Sequence, residues 1–233
     1  MPQLVKTPED FYETLAPARQ TGERIAFVPT MGALHEGHLA LVRAALEVAD
    51  KLVVSIFVNA LQFGEGEDYG SYPRTLDTDM DKLAALGVDC VYAPNEAVMY
   101  PEGFATTIKA GGVTDILEGA HRPGHFDGVA TIVAKLLNQV GPHDAFFGEK
   151  DYQQLLVIRQ MVRDLDMDVR IHGCKVVRDE NGLALSSRNQ YLSRGDYEIA
   201  TQLNRILKQM ISPLLTSSPL LRGEELLKLK DLE

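Results

Sequence analysis

Short apolar runs rich in β-branched residues alternate with longer segments of helical period, and this alternation restricts the fold of the chain more than any other feature. The runs are mostly continuous, which is typical of strands buried on both faces of a sheet. They are Arg24–Pro29, Leu52–Val58, Val88–Ala93, Asp144–Phe147 and Asp168–His172. The segment Asp127–Val140 has apolar residues at helical spacing and is followed by Gly141 and Pro142. The sequence therefore predicts βαβ units, that is, an α/β fold with a mostly parallel sheet and helices on both sides.

The pattern of the sequence changes after about Val176, where turn residues and a polar segment precede helical residues from Asp196 to Met210. We therefore expect a first domain over residues 1–176 and a small second domain over 177–233. Within Ser212–Glu233, a stretch rich in Leu, Lys and Glu predicts a short amphipathic helix.

Composition and charge limit the classes of partner. The 233 residues are 45% hydrophobic and 24% charged, as in ordinary globular domains, and the formal net charge of −10 opposes non-specific binding to nucleic acid or to an anionic membrane. Cys90 and Cys174 have neither a metal-binding nor a disulfide spacing. No segment approaches the ~20 apolar residues of a membrane span, and the N-terminus lacks the apolar run of a signal peptide. We predict a cytoplasmic protein with no nucleic-acid partner and no membrane association.

Ligands of parallel sheets bind beyond the carboxyl ends of the strands, so the loop after the first predicted strand is the first candidate site. There, His35 and His38 are three positions apart and share one face of a starting helix. The unpaired N–H groups and the dipole of the helix start favour a phosphate at this place, and two imidazoles add donors. A pair of solvated or capping histidines is the alternative. A zinc site would need a third ligand, which the sequence does not offer nearby, so no metal is assigned to the protein.

Two later loops carry polar side chains suited to a small anionic substrate. Asn59 and Gln62 follow the second predicted strand and offer amides for a hydroxyl or carboxylate, although such amides often bond to their own backbone instead. Arg122 lies in a loop rich in Gly and Pro before the helix at Asp127. Its guanidinium suits an anion, and a surface turn with a solvated arginine is the alternative.

Two further segments suit phosphate groups. Lys150, between Glu149 and Asp151, lies where a predicted strand opens into a helix, which is also the composition of an ordinary solvated helix start. In the second domain, the hydroxyls of Ser186 and Ser187 and the guanidinium of Arg188 could close over a triphosphate. A turn capped by serine with an exposed arginine is the alternative there.

Taken together and in order, these segments resemble one enzyme family, the pantothenate synthetases or pantoate–β-alanine ligases. The resemblance extends from about Arg24 to Arg194 and rests on VPTMGALHEGH, SIFVNALQF, YPRTL, LEGAHRPGHFDGVATIVAKL, FFGEKDYQQL and GLALSSRN. The segment His35–His38 also fits the wider His-x-Gly-His nucleotidyltransferase superfamily, so the resemblance implies its Rossmann-like nucleotidyltransferase fold.

The resemblance implies a two-step ligation. The carboxylate of pantoate attacks the α-phosphorus of ATP to give pantoyl adenylate and pyrophosphate, and the amine of β-alanine then displaces AMP. It implies that ATP binds Met31, Gly32, His35, His38, Gly148, Glu149, Lys150, Asp151, Val177, Leu185, Ser186, Ser187 and Arg188. It implies that pantoate and β-alanine bind Gln62, Gln154, Asn59 and Arg122.

The resemblance also assigns roles and partners. The expected catalytic residues are His38, His35, Lys150 and Arg188, with His38 as the acid in descriptions of the family. Charge stabilisation is expected to outweigh proton transfer, because a carboxylate nucleophile has no proton to remove. Mg²⁺ would bridge the phosphates of ATP, and two copies of the chain would form a homodimer through the first domain.

The sequence departs from the family at two places. Ala60 stands where the family usually has proline, which is expected to loosen the loop that carries Asn59 and Gln62. The family carries a longer C-terminal domain, so the second domain is expected to be incomplete and to shield the acyl adenylate less well from water. Two alternatives remain open: another His-x-Gly-His nucleotidyltransferase, and a nucleotide-binding module with impaired catalysis.

Overall fold

The computed structural model of the chain describes residues 1–217. The chain divides into two compact units, Met1–Val177 and Arg178–Glu233. The strands of the first unit are β1 (Gln3–Val5), β2 (Ile25–Thr30), β3 (Lys51–Ile56), β4 (Cys90–Tyr92), β5 (Asp144–Gly148) and β6 (Arg170–Cys174). Its helices are α1 (Pro8–Thr21), α2 (Glu36–Leu46), α3 (Leu76–Ala85), α4 (Glu96–Met99), α5 (Glu118–His121), α6 (His125–Val140) and α7 (Tyr152–Asp164). Within residues 178–217 of the second unit, the helices are α8 (Arg194–Ala200) and α9 (Gln202–Ser217).

All six strands form one parallel sheet in the order β1-β4-β3-β2-β5-β6. The chain moves outward from β2 through β3 to β4, and later places β5 and β6 on the other side of β2. The predicted α/β fold with a parallel sheet is therefore confirmed. Because the direction of strand order reverses between β2 and β5, a crevice is expected beyond the carboxyl ends of these two strands.

Five of the strands match the predicted runs within a few residues, and β1 is an additional strand. It has three residues, of which only Val5 is buried, and it pairs with β4 at the edge of the sheet. A three-residue strand with one buried side chain is too short for its periodicity to be read. The predicted helix at Asp127 begins two residues earlier, at His125, because Gly124 in the left-handed conformation ends the preceding loop.

Both faces of the sheet are covered, which explains the continuous apolar runs. One face packs against α1, α6 and α7 and contains fully buried side chains such as Phe27 and Val53. The other face packs against α2 and α3 and contains Val28 and Val54. Because neighbouring residues of β2 and β3 face opposite layers, most positions of both strands are apolar. Burying one such side chain stabilises the fold by roughly 1.5–3 kcal/mol.

A buried carboxylate at the amino edge of the sheet joins β5 to β6 and to the residue before β2. Asp144 of β5 is 1% exposed, accepts a hydrogen bond from Nε2 of His172 at 2.7 Å, and pairs with the guanidinium of Arg24 at 2.6 Å. Burial alone would raise the pKa of the Asp144 carboxyl, but the contacts with His172 and Arg24 outweigh it and hold this pKa below its ordinary value.

We expect Asp144→Asn to lower the free energy of unfolding by about 1–3 kcal/mol at pH 7, since it removes the charge that both partners face. A depressed carboxyl pKa stabilises the fold above the pKa of the unfolded chain, and this contribution is lost as the pH falls through the lower folded value. The difference between wild type and variant, measured by urea unfolding, should therefore shrink below about pH 4. Asp164→Asn, at an exposed pair with Arg163, is the control. Equal losses in the two variants would contradict the prediction.

Contacts within the second unit hold a turn near its start. Arg178 and Ala184 form an isolated antiparallel bridge around the turn at Gly182, and the hydroxyl of Tyr197 donates to Asp179 at 2.6 Å. The helical residues predicted from Asp196 to Met210 are divided between two helices. The first, α8, ends at Ala200, and α9 begins at Gln202.

The amphipathic helix predicted within Ser212–Glu233 extends into residues 218–233, which lie outside the described residues. In the described part of the chain, no helix combines the length and the apolar character needed to cross a membrane.

Candidate active site

The turn between β2 and α2 forms the centre of the candidate site. Gly32 and Ala33 both have positive φ, at 84° and 50°, which directs the chain sharply away from the end of the strand. A Cβ atom at Gly32 would lie 3.0 Å from Cγ2 of Ile56 and 3.3 Å from Oδ2 of Asp79. Glycine is therefore required at this position both by the backbone conformation and by the close approach of its neighbours.

The backbone N–H groups of this turn already have acceptors, which corrects the expectation that they are open to a phosphate. Ala33 and Leu34 donate to the two oxygens of Asp79 at 2.9 and 2.8 Å. Gly37 donates to Nδ1 of His35 at 3.1 Å, and His35 donates to Nδ1 of His38 at 3.3 Å. The donors available to an anion at this helix start are therefore chiefly side chains.

The two histidines cap the start of α2, and this capping fixes their protonation pattern. Nδ1 of each ring accepts a hydrogen bond from a backbone N–H, so the neutral ring carries its proton on Nε2. The ring centroids lie 4.1 Å apart. The capping alternative from the sequence is thus correct, and it is compatible with function because each ring retains one Nε2–H donor.

Both imidazoles are neutral near pH 7, because their pKa values are lowered. Burial, together with the charges of His35, Lys150 and Lys82, lowers the pKa of His38 to about 3. Burial and the same two lysines also lower the pKa of His35. The positive charge at this place comes from the ammonium groups, and the imidazoles act as oriented neutral donors.

Lys150 and Lys82 approach the histidines from two different elements. Lys150 lies in the one-turn 3₁₀ helix Glu149–Asp151 at the end of β5, and its Nζ is 3.0 Å from Asp151. Since both side chains of this pair are well exposed, the ion pair is weak and readily exchanged for a phosphate contact. Lys82 of α3 donates to the carbonyl of Leu34 at 2.6 Å. The position of Lys82 beside the histidines could not be predicted from the sequence, because nothing in the pattern of α3 relates it to them.

The side-chain amides of Asn59 and Gln62, which follow β3, differ in burial and in their hydrogen-bond partners. Asn59 is fully buried; its oxygen accepts from the hydroxyl of Tyr100 at 2.6 Å, and its amide donates to Gly128 O and to Gln62 Oε1, both at 3.2 Å. Gln62 is half-buried, and its amide donates to Sδ of Met31 at 3.3 Å. Asn59 therefore holds Gln62 in place, while Gln62 lies next to the candidate phosphate site. The turn containing Ala60 is formed and held by these contacts.

Arg122, which is predicted to bind the substrate, is paired with carboxylates of the chain itself. The guanidinium bonds to both oxygens of Glu67, at 2.7 and 2.5 Å, and to Glu118 at 2.7 Å. Two carboxylates neutralise its charge, so an anion would have to displace them. Instead, Arg122 and His125 both contact the carbonyl of Gln62, at 3.4 and 2.7 Å, and this carbonyl links the helix start to the Gln62 loop.

The other predicted residues lie in three places. Gln154, in the first turn of α7, is half-buried and makes no hydrogen bond within the described part of the chain, so its amide is open to a ligand. Val177 is the last residue of the first unit. The segment Leu185–Arg188 belongs to the second unit, where Oγ of Ser186 accepts from the N–H of Arg188 at 3.3 Å. This is the serine-capped turn named as the alternative for that segment.

Beyond β2, β3 and β4 there is a cavity of about 290 Å³. Met31 and Gly32 line it, together with Ile56, Arg74 and Asn95. Within residues 1–217, no group of three or more His, Cys, Asp or Glu side chains is placed to hold a metal ion. The donor set therefore does not fit a magnesium site made by the protein alone.

Known proteins match this chain over most of its length. A family model described as Pantoate-beta-alanine ligase matches residues 3–229. Pantothenate synthetase of Roseobacter denitrificans is 52% identical over 198 residues, which are 85% of this chain and 70% of that protein. The crystal structure of pantothenate synthetase from Thermus thermophilus has 52% identity and a TM-score of 0.84, covering 87% of this chain and 72% of that one.

A second solved structure was obtained with ligands. It is pantoate-beta-alanine ligase from Francisella tularensis, complexed with beta-gamma ATP and beta-alanine. It is 41% identical with a TM-score of 0.84, and the match covers 89% of this chain and 80% of that one. The chain belongs to the pantoate-beta-alanine ligase family.

Proposed function

We propose that this chain joins pantoate to β-alanine in two steps that consume ATP and release pyrophosphate and AMP. One observation carries the proposal beyond family membership: His35 and His38 present two fixed Nε2–H donors, with Lys150 acting on both, at the edge of the sheet where β2 and β5 end. This is the arrangement that a phosphoryl group acquiring negative charge requires.

In the first step, a carboxylate oxygen of pantoate bonds to the α-phosphorus while the bond to the bridging oxygen of pyrophosphate breaks. Negative charge grows on the phosphoryl oxygens and on the leaving group. Lys150 supplies a full positive charge, and the imidazoles of His35 and His38 supply neutral hydrogen bonds that lose no proton. No general base is needed, because pantoate is already ionised.

Pantoate requires donors for its carboxylate and hydroxyl groups next to the phosphate site. We propose that Gln62 and Gln154 supply them: Gln62 is held beside Met31, and Gln154 has an uncommitted amide. Asn59 is proposed to act through Gln62, because its own amide is fully buried and fully bonded. In the second step, the amine of β-alanine bonds to the acyl carbon and AMP leaves with the former carboxylate oxygen.

The remaining parts of the proposal rest on the sequence resemblance. They are the nucleotide contacts of Gly148, Glu149, Asp151, Val177 and Leu185–Arg188, and the homodimer. The proposed cytoplasmic location rests on the composition of the sequence. Mg²⁺ is proposed to enter as the ATP complex, since the described residues offer no cluster to hold it, and no step is assigned to it.

The function is tested by an isotope experiment on the full chain. Pantoate labelled with ¹⁸O in its carboxylate is incubated with ATP, Mg²⁺ and β-alanine, and the products are identified by mass spectrometry. We expect pantothenate and an AMP that carries one ¹⁸O atom, because the attacking oxygen stays on phosphorus when the amine displaces AMP. Without β-alanine, pyrophosphate should still form, together with pantoyl adenylate.

Two outcomes would favour the alternatives. Pyrophosphate release that needs CTP or a phosphate ester, and not pantoate, would indicate another nucleotidyltransferase. Tight binding of ATP with no AMP formed at saturating pantoate and β-alanine would indicate a binding module. Unlabelled AMP alongside pantothenate would contradict the acyl adenylate.

A further inference from the structure

The turn before the histidines is held by a carboxylate of α3 that lies outside the segments carrying the family resemblance. Asp79 is fully buried, and both of its oxygens accept backbone donors of the turn: Oδ1 from Leu34 at 2.8 Å and Oδ2 from Ala33 at 2.9 Å. The hydroxyl of Thr75, the residue directly before α3, donates to Oδ2 at 3.0 Å. A buried carboxylate with three donors is fixed in position, and it fixes the donors equally.

The next turn of α3 holds the same segment from its carbonyl side. Lys82 donates from Nζ to the carbonyl of Leu34, while Asp79 accepts from the N–H of that residue. The side chain of Leu34 is 2% exposed and belongs to the same apolar cluster as Leu83 of α3. The helix therefore controls both polar groups and the side chain of the residue directly before His35.

This control is needed because the turn has an unfavourable backbone. Ala33 has a φ of 50°, a region that side-chain-bearing residues avoid, and Gly32 has a φ of 84°. Without Asp79, Ala33 and Leu34 would lose the two hydrogen bonds that their N–H groups make in this conformation. The backbone N–H of His35, which donates to His38 Nδ1, follows directly after the turn. A change in the turn is thus transmitted to the bonds that orient both imidazoles.

We propose that Asp79 is a positioning residue of the ligation. Through the 32–34 turn it determines the orientation and the tautomer of the His35 and His38 rings. Lys82 supports it by holding the carbonyl of Leu34. This inference rests on the proposed function for its kinetic consequence. The effect on the rings does not depend on that function, because the hydrogen bonds concerned are made without substrate.

The test compares Asp79→Asn with Asp77→Asn in the full chain. Asp77 is exposed in the same first turn of α3 and makes no hydrogen bond among the described residues, so it controls for the loss of a charge. Asparagine at position 79 retains one acceptor oxygen and turns an N–H group towards a backbone donor. We expect the single-turnover rate of pyrophosphate formation to fall about 30-fold or more, while the pantoate dissociation constant changes by less than about 2-fold. Asp77→Asn should leave both values within about 2-fold of wild type.

A spectroscopic readout separates positioning from general loss of structure. In wild type, ¹⁵N chemical shifts of the imidazoles should show both rings protonated on Nε2 alone at neutral pH. In Asp79→Asn, at least one ring should show a mixture of the two tautomers, with the sheet amides unchanged. If Asp79→Asn does not fold, Lys82→Met takes its place, with an expected rate loss of about 5-fold or more and the same tautomer mixing. Lys6→Gln, at an exposed position, is its control.

Each outcome has one meaning. A folded Asp79→Asn variant with unchanged tautomers and a rate within about 3-fold of wild type would overturn the positioning role. Unchanged tautomers and rate in Lys82→Met would do so if Asp79→Asn is not available. Tautomer mixing in Asp79→Asn, alongside a wild type that makes no adenylate, would overturn the proposed function and leave the effect of Asp79 on the rings standing.

Discussion

Replacing His38 with asparagine should lower the rate of pyrophosphate formation by about 100-fold or more, because one preorganised donor to a developing oxyanion is lost. The amide oxygen of asparagine lies where Nδ1 of the imidazole lies, so it can still accept the N–H of His35 and preserve the turn. It has no atom at the place of Nε2. The substitution therefore removes the proposed catalytic donor and retains the cap. Pre-steady-state release of pyrophosphate with ATP and pantoate, before β-alanine is added, measures this step alone.

Two further variants test whether the Nε2–H group of His38 is responsible for the loss of rate. Glutamine at position 38 has its amide near the place of Nε2, so His38→Gln should retain more activity than His38→Asn. His121→Asn changes an exposed histidine at the end of α5 and should have no effect on the rate. If His38→Gln were as slow as His38→Asn, or if His38→Asn were nearly as fast as wild type, the Nε2–H donor would not be the part of His38 that matters.

The pH dependence gives an independent check on the same assignment. Because burial and neighbouring charges lower the pKa of His38 to about 3, the ring stays neutral from pH 5 to pH 8. A histidine with a lowered pKa gains its proton only below that value, so adenylation should not decline between pH 5 and 8 through titration of His38. A wild-type rate that follows an ionisation near pH 6.5, and is flat in His38→Asn, would show that the cationic ring is the active form.

Most of the fold could be predicted from the sequence, because strands that are buried on both faces of the sheet consist mainly of apolar residues. The β2 and β3 runs are apolar at nearly every position, and the helices between them have a clear period. The short strand β1 left no such trace, since only Val5 is buried. For the same reason, the break between α8 and α9 could not be located: their residues are mostly exposed, and helical propensity alone does not fix an end.

The candidate site could be predicted only in part, because a sequence motif identifies side chains and does not identify the residues that bond to them. The segment from Met31 to His38 indicated a helix start after a strand, which the structure has. It did not indicate that Asp79, distant in the sequence, accepts the N–H groups expected to face a phosphate. Arg122 indicated an anion, and the anions are Glu67 and Glu118 of the chain itself. Long-range pairing of this kind requires the tertiary structure.

The second large effect concerns the packing of α6 against the loop that carries Gln62. Gly128 lies in α6, and a Cβ atom there would be 2.2 Å from the carbonyl oxygen of Leu61 and 2.7 Å from the N atom of Gln62. Backbone atoms cannot yield as the end of a side chain can, so Gly128→Ala must displace the loop or the helix. Its carbonyl also accepts from Asn59, so the displacement affects the residue that holds Gln62.

We expect Gly128→Ala to raise the KM for pantoate about 10-fold or more and to lower the free energy of unfolding by about 1–3 kcal/mol, the usual cost of overpacking, even though alanine favours a helix over glycine. Steady-state kinetics and urea unfolding measure the two effects. Gly70→Ala, where the added Cβ would meet nothing within 4 Å, is the matched control.

Gln62→Ala should raise the pantoate KM without the loss of stability, because it removes a half-buried amide and leaves the backbone contact intact. A Gly128→Ala variant that binds pantoate normally would show that the position of the Gln62 loop does not determine substrate affinity, and Gln62 would then lose its place in the proposed site.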